Sequence, residues 1–123
     1  MTVRDAESAQ EELSQDYPDA KITVVSSDEV IAELPDGGAV VMVGPGGSVP
    51  HFHLKTAEVY QVTQGRLAVI EAGNVVVLEP GTDREGVRLM PYRVHHARSL
   101  GLAWAKFTVL SVPPWTPKDH FIA

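Results

Sequence analysis

His51-Phe52-His53-Leu54-Lys55-Thr56-Ala57-Glu58-Val59-Tyr60 is the stretch on which the reading of this chain turns. His51 and His53 are two residues apart, and on a β-strand that spacing sends both imidazoles to one face. Glu58 follows a short turn, at the head of a second strand expected to pair with the first, which brings its carboxylate to the same point. His96 lies on a later strand, beyond Pro91. Three imidazoles and one carboxylate from three strands can surround one divalent ion and leave a position or two for water or substrate. The set suits Fe, Mn, Ni, Zn or Cu, and the Irving–Williams order means that affinity alone does not choose among them. An isolated His-x-His pair is weak evidence, because surface histidines are common on strands. Glu58 and His96 are what turn it into an expected metal site.

Outward from this stretch the chain reads as short strands with turn residues between them. Segments 21–26, 30–34 and 39–43 precede it, and 58–63, 67–71, 75–78, 87–90, 95–100 and 103–112 follow. Pro35-Asp36-Gly37-Gly38 is a turn with a mechanism, since Pro presets φ and Gly accepts a positive one. Gly44-Pro45-Gly46-Gly47 is a second break, and Gln64-Gly65 and Ala72-Gly73-Asn74 are hairpin turns. So many short strands at close spacing predict an all-β fold, a closed antiparallel barrel or a jelly roll. In 103–112, Ala105, Phe107 and Val109 form the better core face, opposite Trp104, Lys106 and Thr108. Residues 5–16 fit a short N-terminal helix capped by Asp5, with Ala9 and Leu13 on one face, or else an acidic arm. The expected organisation is therefore an arm or helix over 1–20, a barrel over 21–112, and a Pro-rich tail over 113–123 that packs on the barrel.

Composition narrows the function. The 123 residues suffice for one core, and the net charge is −6 with no cluster of Lys or Arg, so no nucleic-acid or anionic-membrane partner is expected. There is no Cys, hence neither disulfides nor thiolate chemistry. The polar opening MTVRDAESAQEELSQDYPDA lacks the apolar centre of a secretory signal, and no apolar run approaches a membrane span. A cytoplasmic protein is expected.

Gly44, His51-x-His53, Glu58 and Gly65 together resemble the first motif of the cupin family, and Pro80-Gly81 with Pro91-Tyr92-Arg93-Val94-His95-His96 resemble the second. The resemblance runs from about residue 21 to 112. It implies a jelly-roll barrel, also called a double-stranded β-helix, with one divalent metal held by His51, His53, Glu58 and His96. The spacing from Pro91 selects His96, with His95, on the opposite face of the strand, as the alternative ligand. Arg93 stands where the family usually has Gly, Leu100 where it often has Asn, and the loop at 82–85 is longer than the common pattern.

Cupins carry out dioxygen chemistry, sugar isomerisation or epimerisation, decarboxylation and cyclisation, so the resemblance implies a fold and a metal site without choosing a reaction. The expectation is a metal-dependent enzyme, an oxygenase or an isomerase, cyclase or lyase, acting on a small polar molecule. The alternative is a non-catalytic binding or structural cupin. Tyr60 shares strand parity with Glu58 and Arg98 with His96, which makes them the candidates for substrate contact or proton transfer. Arg66 reads as a hairpin residue and Arg93 as a surface residue, with binding of an anionic substrate as the alternative, while Trp115, Asp119 and His120 read as tail residues, with covering the barrel mouth or packing on a neighbouring chain as the alternative. Apolar outer strands rich in Val and Trp predict a homodimer.

Overall fold

The computed structural model describes residues 3–81, 87–113 and 117–123. Trp115 and the loop at 82–85, both singled out in the sequence, lie outside the described residues. Ten strands follow helix α1 (Ala6–Asp16): β1 (Lys21–Ser26), β2 (Glu29–Glu33), β3 (Ala39–Val43), β4 (His51–Phe52), β5 (Ala57–Gln64), β6 (Leu67–Glu71), β7 (Asn74–Leu78), β8 (Val87–Leu89), β9 (His95–Ser99) and β10 (Ala105–Val112). A 3-10 turn (Pro117–Asp119) leads to a short last strand, β11 (Phe121–Ile122).

The strands form two antiparallel sheets, ordered β1-β2-β3-β10-β5-β8 and β11-β4-β9-β6-β7. This is a jelly-roll arrangement in which the two sheets keep separate edges and do not close into one continuous barrel. The main core lies between them. Val41, Val43, Tyr60, Phe107 and Val109 come from the first sheet, and Leu67, Val69 and Ala97 from the second. Alternation along β10 buries Ala105, Phe107 and Val109, as expected.

A second core lies on the outer face of the first sheet, where α1 sets Ala9 and Leu13 against Val30, Ala32, Val40, Met42 and Trp104. Asp5 caps the helix by accepting from Ser8 N–H at 2.8 Å, and Lys106 Nζ lies 2.9 Å from Glu12 and 3.5 Å from Asp16. Strand β3 is thus buried on both faces, which explains its unbroken apolar run.

Turn chemistry follows the sequence. The β6–β7 hairpin closes through Ala72 and Gly73 at φ 49° and 86°, the paired positive values of a two-residue primed turn. Gly44 and Gly46 let the backbone wrap the Asp28 carboxylate, and a Cβ on Gly44 would stand 2.6 Å from Asp28 Oδ1.

The sequence expectation that β4 and β5 pair is corrected. Glu58 on β5 pairs with Leu89 and Ser111 in the first sheet, whereas His51 on β4 pairs with His95 and Ile122 in the second. The turn after His53 carries the chain from one sheet to the other, so the two halves of the His-x-His…Glu stretch face each other across the interior.

Candidate metal centre

Four buried side chains converge where the sheets face each other. Ligand atoms from His51, His53, Glu58 and His95 all lie within 4.8 Å of one another. His53 Nε2 stands 3.0 Å, and His95 Nε2 2.9 Å, from the same Glu58 Oε1.

The other nitrogen of each imidazole faces a backbone carbonyl. His51 Nδ1 is 2.8 Å from the Val49 oxygen, His95 Nδ1 is 3.1 Å from the Arg93 oxygen, and His53 Nδ1 makes a short contact with the Asp119 oxygen. A carbonyl can only accept, so each Nδ1 carries its proton and each Nε2 is turned to the common centre. Neutral imidazoles in that tautomer present lone pairs to a carboxylate that also offers only lone pairs. A cation is needed among them: extra protons on the imidazoles, or a metal ion that displaces those protons. The donor set and its tautomers therefore fit a divalent transition metal.

Burial and neighbouring charge act together on these groups. Burial, reinforced by His95, pushes His51 down to about 4, which keeps it neutral. Burial works to raise Glu58, but hydrogen bonds with His53 and His95 outweigh it and bring the carboxyl to about 2. For His53 burial acts downward and is overcome by Glu58 and the Asp119 carbonyl, so its affinity for a proton rises.

The fourth imidazole is a correction to the sequence reading. Along β9 the inward residues are His95, Ala97 and Ser99. His96 is half-buried on the other face, where it pairs with Ile70. The register is fixed by His95 lying directly opposite the inward-facing His51, and a shift of one residue reverses every face of a strand. The same parity overturns the placement of Arg98, which shares its face with His96 and is exposed, away from the centre. Tyr60 does face inward. It is 5 % exposed, packs on Phe107 and lies edge-on to His95 with ring centroids 6.2 Å apart. Burial, with Glu58 and Glu29 nearby, raises its hydroxyl well above the usual range, so it keeps its proton.

A cavity of about 190 Å³ opens from the centre. His51, His53, Glu58 and Tyr60 line it together with the apolar side chains of Ile31, Val41, Phe107 and Val109. Three lining or supporting residues, Glu29, His120 and Asp119, are not among the site residues expected from the sequence. Glu29 is 7 % exposed and lines the cavity, with burial raising its carboxyl to about 7. Its only sequence signal is the β2 alternation that puts Glu29, Ile31 and Glu33 on one face. His120 lines the cavity from the tail, stacked on His51 at 4.6 Å. Asp119 beside it is buried against the β4–β5 turn. The sequence offers both only as tail residues over the barrel mouth, because nothing local in a Pro-rich segment ties them to His51 or His53.

No family model matches the sequence, and no curated protein matches it. Solved structures do share its fold. The capsular polysaccharide assembling protein CapF of Staphylococcus aureus aligns over 84% of this chain at 16% identity and a TM-score of 0.66. This chain spans only 31% of CapF, about a third of that protein's length. A Thermotoga maritima protein described as a predicted oxalate decarboxylase aligns over 77% of this chain and 94% of its own, at 16% identity and TM-score 0.63. A cupin-superfamily sugar phosphate isomerase from Silicibacter pomeroyi aligns over 80% and 71%, at 20% identity and TM-score 0.59. At these identities the likeness speaks for the fold alone: the chain has the cupin fold.

Proposed function

We propose that this protein is a metal-dependent enzyme that acts on a small molecule by Lewis-acid or dioxygen chemistry. The observation that carries the reading is the convergence of His51, His53, Glu58 and His95, with all three Nδ1 atoms held by carbonyls, beside a cavity that His51, His53 and Glu58 line. These four residues would hold the ion, which supplies a positive centre that polarises a carbonyl or carboxylate oxygen, or redox chemistry toward dioxygen.

The chain's own groups shape what can bind beside it. The wall of Ile31, Val41, Phe107 and Val109 receives the apolar part of a ligand and excludes water. Tyr60 offers a protonated hydroxyl on the same side as Glu58, and Glu29 offers a buried carboxyl near neutrality, the range in which a group gives and takes protons at physiological pH. A ligand with one oxygen-rich end and a compact apolar body suits this arrangement. The carbohydrate, oxalate and sugar phosphate named for the structural relatives define the range of small molecules to try.

The test is turnover of oxalate, sugars and sugar phosphates, and of small keto acids, polyols and phenolics, by protein loaded with Zn²⁺ or with Fe²⁺, with and without dioxygen. Activity with Zn²⁺ under anaerobic conditions selects the isomerase, cyclase or lyase branch. Activity that needs both Fe²⁺ and dioxygen selects the oxygenase branch, and binding without turnover under every condition contradicts the enzyme reading.

We further propose a homodimer joined through the free edge of β7, where Val75, Val76 and Val77 are 61%, 42% and 47% exposed. A sedimentation mass of twice 13.3 kDa is expected, and a monomer at micromolar concentration contradicts it.

A further inference from the structure

The C-terminal tail is tied into the metal centre at three levels. Asp119 Oδ1 accepts from the backbone N–H of Leu54 at 2.7 Å and of Lys55 at 3.2 Å, and Oδ2 accepts from Lys55 at 3.0 Å and Thr56 at 2.9 Å. One buried carboxylate thus satisfies three consecutive amides of the turn that carries the chain from His53 to Glu58. The backbone carbonyl of the same residue accepts from His53 Nδ1. Beyond it, β11 pairs with β4, setting Phe121 opposite Phe52 and Ile122 opposite His51, with the phenyl rings stacked at 5.3 Å. Ala123 N–H donates to the Pro50 carbonyl at 3.0 Å, which closes the pairing.

We propose that Asp119 is the positioning residue of the metal centre. Its carboxylate sets the turn that fixes the separation of His53 from Glu58, and its carbonyl sets the tautomer and angle of the His53 ring. The proposal rests on reading His51, His53, Glu58 and His95 as the metal site. The physical argument is specific to a carboxylate. Both oxygens of Asp only accept, and they match three N–H donors arranged in a row. An Asn at this position keeps one accepting oxygen and turns an NH₂ toward an amide N–H, so it serves part of the turn. An Ala leaves all three amides without their partner and frees the tail to lift, and the Asp119 carbonyl moves with it. His53 then loses the acceptor that holds its proton on Nδ1, and the imidazole populates both tautomers.

The experiment uses the full chain stripped of metal. Zn²⁺ and Co²⁺ affinities are measured by chelator competition for the parent, D119N and D119A, with circular dichroism to verify the fold. Long-range proton–nitrogen correlation spectra of the metal-free proteins, recorded at alkaline pH where the extra imidazole proton has left and the ring is neutral, report the His53 tautomer. The expected result is a single Nδ1–H tautomer for His53 in the parent and a mixture in D119A, with metal affinity about 10- to 100-fold weaker in D119A, the cost of losing an outer-shell partner, and intermediate in D119N. A D119A protein that is folded, keeps the single tautomer and binds both ions as the parent does overturns the proposal. If D119A does not fold, D119N decides: parent-like affinity and tautomer overturn it, and weaker binding with a mixed tautomer supports it. A parent that binds neither ion refutes the metal reading instead, while the metal-free spectra still decide whether Asp119 orients His53.

Discussion

His51 and His95 lie directly opposite each other across β4 and β9, with their ring centroids 4.2 Å apart. Cross-strand partners share a face, so the inward orientation of one fixes that of the other and turns His96 outward. His95→Ala is expected to weaken Zn²⁺ or Co²⁺ binding beyond the roughly 10- to 100-fold lost with an outer-shell partner. His96→Ala, an ordinary change on the outer face, is expected to leave the dissociation constant within about twofold. Chelator competition on the two variants checks the pair, and the opposite ranking restores the register expected from the Pro91 spacing.

That register shows where sequence reading stops. The spacing of His51, His53 and Glu58 was legible because strand parity and a turn are local. The face of β9 was not, because it depends on pairing with a strand more than forty residues earlier. The jelly-roll class was legible from short strands and turn residues, as was the core face of β10, while the capped helix was one of two readings left open, because its apolar stripe is only Ala9 and Leu13. Assignment of β4 and β5 to opposite sheets was not, since a hairpin and a sheet-to-sheet crossing look alike in a short turn. Glu29 falls in the break before segment 30–34 in the sequence, and only the placement of α1 behind β2, which gives Val30 and Ala32 to the helix, turns Glu29 to the cavity. Asp119 acts through contacts 63 to 66 residues away.

Glu29 gives a prediction about pH. In the folded, metal-free protein its carboxyl holds a proton up to about pH 7, against an ordinary value of 4.5, because burial penalises the charge. The folded state therefore binds more protons than the unfolded chain between those values. Stability from this residue is complete below pH 4.5 and is lost as pH rises through 7. Glu29→Gln, measured by urea unfolding with EDTA present, is expected to exceed the parent in stability at pH 8 by on the order of 3 kcal/mol and to match it near pH 4. Equal stability at both pH values contradicts the burial of this charge.

The docking of α1 gives a stability prediction. Leu13 has no exposed surface and packs against the outer face of the first sheet. Leu13→Ala is expected to cost about 2–5 kcal/mol in denaturant unfolding, the range for a buried large-to-small change. A loss below about 0.5 kcal/mol, typical of surface positions, would mean that residues 6–16 behave as a detached arm.

Metal uptake by the stripped protein tests the central claim most directly. Zn²⁺ or Co²⁺ is titrated into the parent and into a variant carrying His51→Ala, His53→Ala, Glu58→Ala and His95→Ala together, with the fold of each verified by circular dichroism. Expected are one tightly bound ion per chain in the parent, with proton release on binding, and no stoichiometric binding in the folded variant. A parent that takes up no ion, or a variant that binds as the parent does, contradicts the assignment of these four residues as a metal centre.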